Sequence, residues 1–400
     1  MHAQGIVARV LGPCLVCLHA KRVAALTRAV AALLRGGTAS LSAVALHLHS
    51  RTAFKHRLKS IDRLLGNLAL QRSRFDLYRR LAQQWMHDVD QWLIVVDWSD
   101  ATLDQRWQLL RASVVVEGRS VTLYEEVHPR HKLGNPTVQR TFLARMAEII
   151  PPGVKVIVMT DAGFNAPWFK LIEARGWQFL GRIRGRNRLQ IGENGAWIPA
   201  RDFYRRAGEQ ACDLGVGRYV QSNPVAVHAV LAKRPRKKRH ALTMYGKKRK
   251  SHTSLRCARA AREPWLLVSS RGLRHLTAAT LVSLYAQRMR IEQSFRDTKN
   301  ARVGLGLQIA RSRRRERLEM LLLLVHLVSY VQRLIGESAK AQQLELQFMA
   351  RRRIDRREIS VFTLARRILD VAPRYLRELA PWQAIPPLAA QATAAYGARH

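Results

Sequence analysis

The stretch YAQRMRIEQSFRDTK, from Tyr285 to Lys299, places four polar side chains at helical spacing. At about 100° per residue, Arg288 falls near −60°, Glu292 near −20° and Lys299 near −40° from the first tyrosine. The four groups therefore share one narrow stripe on a predicted helix. A carboxylate held beside an arginine, a lysine and a tyrosine favours an anion handled together with a metal ion. For this segment alone, the alternative is a surface helix with spaced ion pairs.

Two aspartates end apolar strand patterns upstream of this stripe. Asp97 follows the run Trp92–Val96 in the string WLIVVDWSD, and Asp161 follows Val154–Met159. Carboxylates at the ends of buried strands are well placed for a site, although an aspartate there often only begins a turn. If Asp97, Asp161 and Glu292 converge, they supply hard oxygen ligands for two Mg²⁺ or Mn²⁺ ions. Two such ions suit chemistry at a phosphodiester.

The composition predicts a polyanionic partner. Lysine and arginine number 69 against 28 acidic residues, a formal charge of +41. Nucleic acid, bound by release of counterions from phosphates, is the expected partner, and an anionic membrane is the competitor. The longest apolar segment, Leu318–Ile335, contains three polar residues and is predicted to be a buried core helix rather than a membrane span. The patch around Val10–Leu18 lacks the cleavage pattern of a signal peptide.

Four cysteines in 400 residues argue against a disulfide scaffold. Cys14 and Cys17 form a lone C-x2-C pair, for which reduced core thiols are a simpler interpretation than a zinc site. A bacterial cytoplasm is therefore the simplest compartment.

Hydrophobic periodicity predicts helices from residue 16 to about 90, followed by a mixed α/β layer. The predicted helix Ala24–Leu34 ends at Gly36 and Gly37, Thr38 or Ser40 can cap the next helix, and Phe75–Met86 is a fourth predicted helix. The helix predicted at Arg51–Leu65 has an apolar face and a basic face that suits DNA docking, unless that face is only solvated. The order strand, strand, strand, helix, strand, helix, strand spans residues 92–183. The predicted strands are Trp92–Val96, Trp107–Val116, Val121–Val127, Val154–Met159 and Trp177–Ile183, and the predicted helices are Asn135–Ile150 and Pro167–Arg175.

The segment 185–275 is too long for one structureless loop. It contains strand-like runs, which predict a small β-rich insertion, and two basic clusters that are predicted to contact phosphates. The runs are Tyr219–Gln221, Val225–Leu231 and Trp265–Ser269, and the clusters are Lys233–His240 and Lys247–Lys250.

The spacing Tyr285-x2-Arg288-x3-Glu292-x6-Lys299 resembles the YREK signature of a group of bacterial insertion-sequence transposases. The DWSD and TDAGF strings resemble the two aspartate motifs of the same group, and the resemblance covers nearly the whole chain. These are DDE enzymes whose RNase H-like core is interrupted by a β-strand insertion before the glutamate. The resemblance implies metal-binding roles for the three carboxylates.

The resemblance also implies DNA contacts. Tyr285, Arg288 and Lys299 would contact phosphates near the scissile bond and a hairpin intermediate. Trp265 lies where the family has an aromatic residue that stacks on a flipped base, and a core tryptophan is the alternative. Arg182 resembles a family arginine near the active site, and an ion pair elsewhere is the alternative. Met289 stands where relatives often carry an aromatic residue, so a second stacking platform is in doubt.

These observations predict an α/β fold with an RNase H-like mixed sheet and flanking helices. The predicted function is a cut-and-paste transposase that binds the terminal inverted repeats of its element, cleaves DNA with Mg²⁺ or Mn²⁺ and joins 3′-hydroxyl ends to target DNA. The partners are double-stranded DNA and a second copy of the chain, without a membrane, in a nucleoid-associated cytoplasmic setting. The alternatives are an RNase H-like nuclease or resolvase, an inactive transposase-derived DNA-binding protein, and more remotely a membrane-surface protein.

Five domains are predicted along the chain. They are a helical DNA-end-binding domain at 1–90, the first part of the core at 91–184, the β-rich basic insertion at 185–275, the second part of the core with the glutamate helix at 276–336, and a basic helical region at 337–400 that could serve dimerisation.

Overall fold

The computed structural model describes residues 3–233, 248, 250–252, 254–255, 263–349 and 359–396. The chain folds into two compact units. Unit 1 takes in the described residues of Met1–Asn135, Ala144–Val154 and Met289–Tyr396, and unit 2 takes in those of Pro136–Leu143 and Lys155–Arg288. The five sequence-predicted domains remain a prediction, because compact units are defined by packing and those domains by function.

The described part of the chain begins with five helices, continues through a region that contains all the strands, and ends in five further helices. The helices are α1 (Ala3–Leu15), α2 (Ala20–Gly36), α3 (Leu41–Leu46), α4 (Phe54–Leu65), α5 (Leu68–Met86), α6 (Pro136–Ile149), α7 (Ala166–Glu173), α8 (Ala278–Ala286), α9 (Met289–Lys299), α10 (Arg315–Ala341), α11 (Val361–Val371) and α12 (Ile385–Tyr396). The strands are β1 (Gln91–Asp100), β2 (Trp107–Val116), β3 (Arg119–Pro129), β4 (Lys155–Thr160), β5 (Gln178–Ile183), β6 (Arg188–Ile191), β7 (Ile198–Pro199), β8 (Cys212–Tyr219), β9 (Val225–Ala232) and β10 (Trp265–Ser269).

The N-terminal helices of unit 1 begin and end at local signals. Gly37, with φ of 60°, caps the C-terminus of α2 in the left-handed conformation that glycine tolerates. Ser40 then caps α3, where its hydroxyl accepts a hydrogen bond from the backbone N–H of Ala43 at 3.2 Å. The helix α1 was not predicted, and α5 begins seven residues before the predicted Phe75 because Asn67 caps it.

Unit 1 contains an antiparallel sheet in which β2 lies between β1 and β3. Its strands are almost continuously buried, since helices of the same unit pack against them. The strand β2 has the predicted bounds. The strand β1 runs three residues beyond Asp97, so the prediction that Asp97 ends its strand is wrong. The cause is the continued pairing with β2, in which Asp97 lies opposite Arg111 and Asp100 opposite Gln108.

The long helix α10 forms the centre of unit 1. Among the described residues it is the helix that is long and apolar enough to cross a membrane by length and composition. However, 94% of its apolar window is buried inside the protein, where it packs against α1, α2, α5, α11 and β3. The prediction of a buried core helix at Leu318–Ile335 is confirmed. Its polar members are accommodated by ion pairs such as that between Arg333 and Glu337 at 2.6 Å.

Unit 2 contains a mixed sheet in the order β4-β5-β10-β9-β8-β6-β7. The strands β4 and β5 are parallel, and every other neighbouring pair is antiparallel. The strands from β6 to β10 fall in the segment 185–275 that was predicted as a β-rich insertion, and β10 pairs with β5. Of the predicted run Tyr219–Gln221, only Tyr219 lies in a strand, as the last residue of β8. Most of the two predicted basic clusters, Lys233–His240 and Lys247–Lys250, lies outside the described residues.

One predicted helix is divided in two. Instead of continuing from Tyr285 to Lys299, the chain ends α8 at Ala286 and begins α9 at Met289. The backbone N–H groups of Gln287 and Arg288 bond to carbonyls three residues back, at 3.0 Å each, which tightens and ends the helix. The prediction of one continuous four-residue stripe is therefore wrong, although Glu292 and Lys299 do share α9. The predicted α/β class with an RNase H-like order of elements is confirmed by the three antiparallel strands, the parallel pair and the twelve described helices.

Candidate active site

Asp97 lies on the face of the unit 1 sheet that α9 covers. It is directly opposite Arg111 in the antiparallel pair of β1 and β2, and opposite residues project to the same face of a sheet. The Arg111 side chain donates hydrogen bonds to α9, so that face is the one beneath α9. Asp97 is 8% exposed, and its Oδ1 accepts the backbone N–H of Trp98 at 2.8 Å.

The same helix carries Glu292, which is exposed. Seven residues later, Lys299 falls at about −20° from Glu292 around the helix axis, so the two share one side of α9. The Lys299 ammonium donates to the hydroxyl of Ser99 at 2.6 Å and to the carbonyl of Asp100 at 3.3 Å. Ser99 is two residues from Asp97 on β1 and therefore projects to the same face. The hydrogen bonds of Lys299 therefore connect α9, which carries Glu292, to β1, which carries Asp97.

The Lys299 amine has a pKa below the ordinary value of lysine. Burial is the largest cause, and the nearby charge of Arg111 lowers the pKa further. Asp100 and Asp97 act in the opposite direction and partly restore the charged form. The ammonium therefore lies in a field that mixes two carboxylates with a buried guanidinium.

A second arginine holds the outer side of α9. Arg119 at the start of β3 donates from Nε to Asp297 at 2.7 Å and from Nη1 to Gln293 at 2.5 Å. Burial raises the pKa of the Asp297 carboxyl, and the charge of Arg119 opposes that rise. The helix with Glu292 is therefore attached to the sheet by polar contacts as well as by apolar packing.

In unit 2, Asp161 directly follows the last residue of β4, as predicted. Its Oδ1 accepts the backbone N–H of Gly163 at 2.8 Å. A Cβ atom at position 163 would come within 3.0 Å of that same oxygen, so the glycine of the TDAGF string leaves room around the carboxylate. The local sequence thus sets the direction of Asp161 within its own turn.

Unit 2 also holds four of the five predicted DNA-contacting residues, whereas Lys299 belongs to unit 1. Trp265, the first residue of β10, is half-buried and meets the ring of Tyr285 edge to face, with centroids 5.0 Å apart. Arg288 lies over the same tyrosine ring at 6.0 Å. Trp265, Tyr285 and Arg288 are therefore neighbours within one unit, and their roles in DNA contact remain predictions.

Arg182 on β5 supports the segment that leads into Trp265. Its Nη2 donates to the carbonyls of Glu263 and Pro264, at 3.3 and 3.2 Å, and lies 3.8 Å from the carboxylate of Glu263. Burial, followed by the charge of Arg184, lowers the pKa of this guanidinium. The described contacts match the alternative in which Arg182 forms an ion pair, and its contact with DNA remains a prediction.

The donor set fits a divalent cation by chemistry, since all three candidates are carboxylates and Mg²⁺ and Mn²⁺ prefer oxygen. Asp97 and Glu292 belong to unit 1 and Asp161 to unit 2. Within either unit, the described residues contain no group of three or more histidine, cysteine or acidic side chains that could hold a metal ion. Of the two cysteines predicted as core thiols, Cys14 is buried and Cys17 is exposed. Burial raises the pKa of Cys14 to about 12.

Sequence reasoning missed the buried charges beneath α9. Arg111 interrupts the apolar string WQLLRASVVV, and its partner Glu125 lies in the string SVTLYEEVHP. A charged residue inside a strand that is otherwise apolar on both faces signals a buried ion pair, because an unpaired buried charge is too costly. That signal was present, but it does not reveal the partner.

Residues 89–329 match the sequence model of the family described as the transposase DDE domain. The match covers more than half of the 400 residues and includes all three candidate carboxylates. No curated protein sequence matches the chain.

Proposed function

The chain belongs to the DDE transposase family, and we propose that it is a cut-and-paste transposase of the insertion-sequence group with the YREK signature. It binds the terminal inverted repeats of its own element, cleaves the DNA strands and joins the 3′-hydroxyl ends to target DNA. The observation that best supports this proposal is that Asp97 lies on the sheet face covered by α9, the helix that carries Glu292.

Asp97, Asp161 and Glu292 would hold two Mg²⁺ or Mn²⁺ ions. When bound, such ions activate a water or a 3′-hydroxyl and stabilise the leaving oxygen of a phosphodiester. The three carboxylates contribute the ligands and the charge that retain the cations, and the rigid strand and helix that carry two of them limit their motion.

The basic and aromatic residues orient the DNA. Arg288 presents a planar fork to two phosphate oxygens. Lys299, at the end of α9, presents a point charge to the phosphates. Tyr285 stands beside Arg288 in unit 2, and we propose that both contact the strand near the scissile phosphate and a hairpin intermediate. Trp265, half-buried at the start of β10, would stack on a flipped base. Arg182 would reach the DNA from the same unit.

The proposal extends to the partners and the setting. Two copies of the chain would pair two element ends on double-stranded DNA, since each end requires one set of three carboxylates. A charge of +41 suits a protein that stays on the bacterial nucleoid in the cytoplasm.

Substitution of Glu292 by Gln tests the proposal. The amide keeps the shape of the side chain and removes the charge that ligates a cation. We expect cleavage of DNA that carries the inverted repeats flanking the gene to fall by about 10³-fold or more, while the affinity for the same DNA stays within about twofold. Glu316→Gln, at an exposed glutamate in the first turn of α10, is the matched control and should cleave normally.

The same DNA distinguishes the alternatives. Near wild-type cleavage by Glu292→Gln would remove this residue from the site. Pre-cleaved ends with a 3′-hydroxyl should be joined to a plasmid by the wild-type protein. Cleavage without joining would favour an RNase H-like nuclease or resolvase, and specific binding without either reaction would favour an inactive DNA-binding protein.

A further inference from the structure

Arg111 is a charged residue buried in the middle of the unit 1 sheet. Its side chain is 2% exposed on β2, among strand residues that are otherwise almost all apolar. A buried guanidinium is tolerated only when its charge and its N–H groups are satisfied. Its Nε and Nη2 both lie 2.7 Å from Oε2 of Glu125, the residue opposite it on β3.

The Glu125 carboxylate is itself fixed. The hydroxyl of Tyr78 on α5 donates to its other oxygen at 2.9 Å, and Arg74 donates to its backbone carbonyl at 2.8 Å. Arg111 is therefore attached to a rigid carboxylate, and this ion pair fixes its position independently of its contacts with α9.

The remaining donors of Arg111 reach α9. Nη1 donates to the hydroxyl of Ser294 at 2.9 Å, and Nη2 donates to the hydroxyl of Thr298 at 3.0 Å. The guanidinium carbon also lies over the ring of Phe295, 4.9 Å from its centroid. The Thr298 hydroxyl uses its own proton on the carbonyl of Ser294, at 3.0 Å, so it is oriented to accept from Arg111.

Helical geometry makes these contacts a constraint on rotation. Ser294 and Thr298 fall at about 200° and 240° from Glu292 around the axis of α9, on the opposite side of the helix. Two hydrogen bonds one turn apart on that side oppose any roll of the helix about its axis. A roll would move the Glu292 carboxylate sideways by more than it moves the helix itself, because the side chain projects beyond the backbone cylinder.

The strand side of the same residue faces Asp97. Arg111 is the cross-strand partner of Asp97 on β1. The Arg111 side chain therefore fixes the rotation of α9 relative to the strand that carries the other unit 1 carboxylate. Lysine could not do this, since it lacks the planar fork whose donors reach a carboxylate and two hydroxyls together.

We propose that Arg111 is a positioning residue for strand cleavage, which fixes the rotation of α9 and thereby the direction of Glu292 relative to Asp97. The inference rests on the proposed role of Glu292 in the reaction. Arg111 acts through α9 and does not touch the DNA. Errors of about 1 Å in the placement of a reacting group can cost about 10²-fold in rate, so the effect on the chemical step is expected to be large.

The test removes the two hydroxyl groups on α9 that accept hydrogen bonds from Arg111, and it leaves Arg111 itself unchanged. In the double variant Ser294→Ala, Thr298→Val, the ion pair of Arg111 with Glu125 and its contact with the Phe295 ring are retained, and only the two hydrogen bonds from Arg111 to α9 are lost. We expect single-turnover cleavage of pre-bound complexes to slow by about 10- to 100-fold, with the affinity for the DNA end within about twofold. Ser294→Ala alone keeps the hydrogen bond between Arg111 and Thr298, so it should reduce the cleavage rate by a smaller factor. This single variant replaces the double variant in the test if the double variant folds poorly.

A second measurement does not depend on activity. Hydrogen exchange of the α9 amides in the DNA-free protein should become faster in the double variant, while the amides of β1 to β3 keep their protection. Arg111→Lys should resemble the double variant in both measurements, because it keeps the charge near Glu125 and loses the fork.

Val30→Ala, a cavity variant at a fully buried position on α2, is the control for lost stability. It should lower the melting temperature comparably and leave the cleavage rate of bound complexes unchanged. The inference is overturned if the double variant cleaves at the wild-type rate, or if Val30→Ala slows cleavage equally. The proposed function fails separately, if wild-type protein does not cut end DNA with Mg²⁺ or Mn²⁺. In that case the exchange of α9 still decides whether Arg111 holds the helix.

Discussion

At the scale of single residues, unit 1 buries a polar network that includes a histidine. His326 on α10 stacks on the ring of Tyr78, with centroids 4.7 Å apart and planes at 18°. Burial, followed by the charge of Arg111, lowers its pKa from 6.5 to about 3. The imidazole is therefore neutral in the folded protein at any pH at which the protein would work.

This shift predicts acid sensitivity with a definite sign. Between pH 6.5 and 3 the unfolded chain binds a proton at His326 that the folded protein does not, so stability is complete above pH 6.5 and falls as the pH drops. At pH 4 the loss due to His326 should be about 3 kcal/mol. His326→Phe keeps the ring stacking and removes the titration, so its unfolding free energy should fall less between pH 7 and 4.

Urea unfolding followed by circular dichroism at the two pH values measures this difference. Carboxylate protonation affects both proteins alike and cancels in the comparison. His131→Phe, at an exposed position of the same unit, should behave as the wild type. An equal acid-induced loss in the wild type and in His326→Phe would refute the assignment.

At the scale of elements, α4 presents a basic side to solvent. Lys55, Lys59 and Arg63 recur every four residues and are all exposed, whereas Ile61 and Leu64 on the other side are buried. The predicted amphipathic pattern is thus confirmed over most of α4, although Phe54, expected on the apolar face, is 41% exposed. A basic ridge on a helix packed against a rigid core suits phosphate contact.

Replacing the three residues of this ridge by alanine should weaken binding to the element end. If each contacts one phosphate, the slope of log Kd against log salt concentration should decrease by about 2.7. The matched control removes three exposed arginines of unit 2, Arg201, Arg205 and Arg206. Fluorescence anisotropy with end DNA and with scrambled DNA over a salt series measures both slopes. Equal losses for both triple variants on both DNAs would mean that α4 contributes only diffuse charge.

The interruption between α8 and α9 also belongs to this scale. Residues 285–299 are spaced as on one helix, yet the two i to i−3 hydrogen bonds at Gln287 and Arg288 end α8 and allow a new start at Met289. The break coincides with the boundary between the two units. Tyr285 and Arg288 therefore belong to unit 2, and Glu292 and Lys299 belong to unit 1.

At the scale of the whole molecule, charge governs assembly. A formal charge of +41 on each chain opposes the approach of a second chain unless a polyanion neutralises it. We therefore expect the protein alone to be monomeric at low salt, and to form a complex of two chains with two ends when end DNA is present.

Glu292→Gln allows this complex to be measured without cleavage. Size-exclusion chromatography with light scattering should give a mass of two chains and two DNA ends in the presence of Mg²⁺. DNA of equal length without the repeat should not give this discrete species. One chain per end at every protein concentration tested would contradict the pairing of ends by a dimer.

Much of this protein could be predicted from local patterns. The bounds of β2 and β10, the cap at Ser40 and the glycine stop at Gly37 all follow from residues within a few positions of the feature. The three candidate carboxylates and the DDE family also followed from short strings, because the chemistry needs particular residue types at particular points of the fold.

The sequence by itself determined the class of fold and the order of the elements from β1 to β5, and it predicted the polyanionic partner and the candidate carboxylates. Only the tertiary structure decided that β1 continues beyond Asp97, that the Tyr285–Lys299 segment is two helices, and that Arg111 holds α9. Periodicity and caps act over a few residues, whereas Arg111 and Ser294 are 183 positions apart in the chain. A charged residue in a buried strand indicates that an ion-pair partner exists, but the identity of that partner depends on how distant segments of the chain pack.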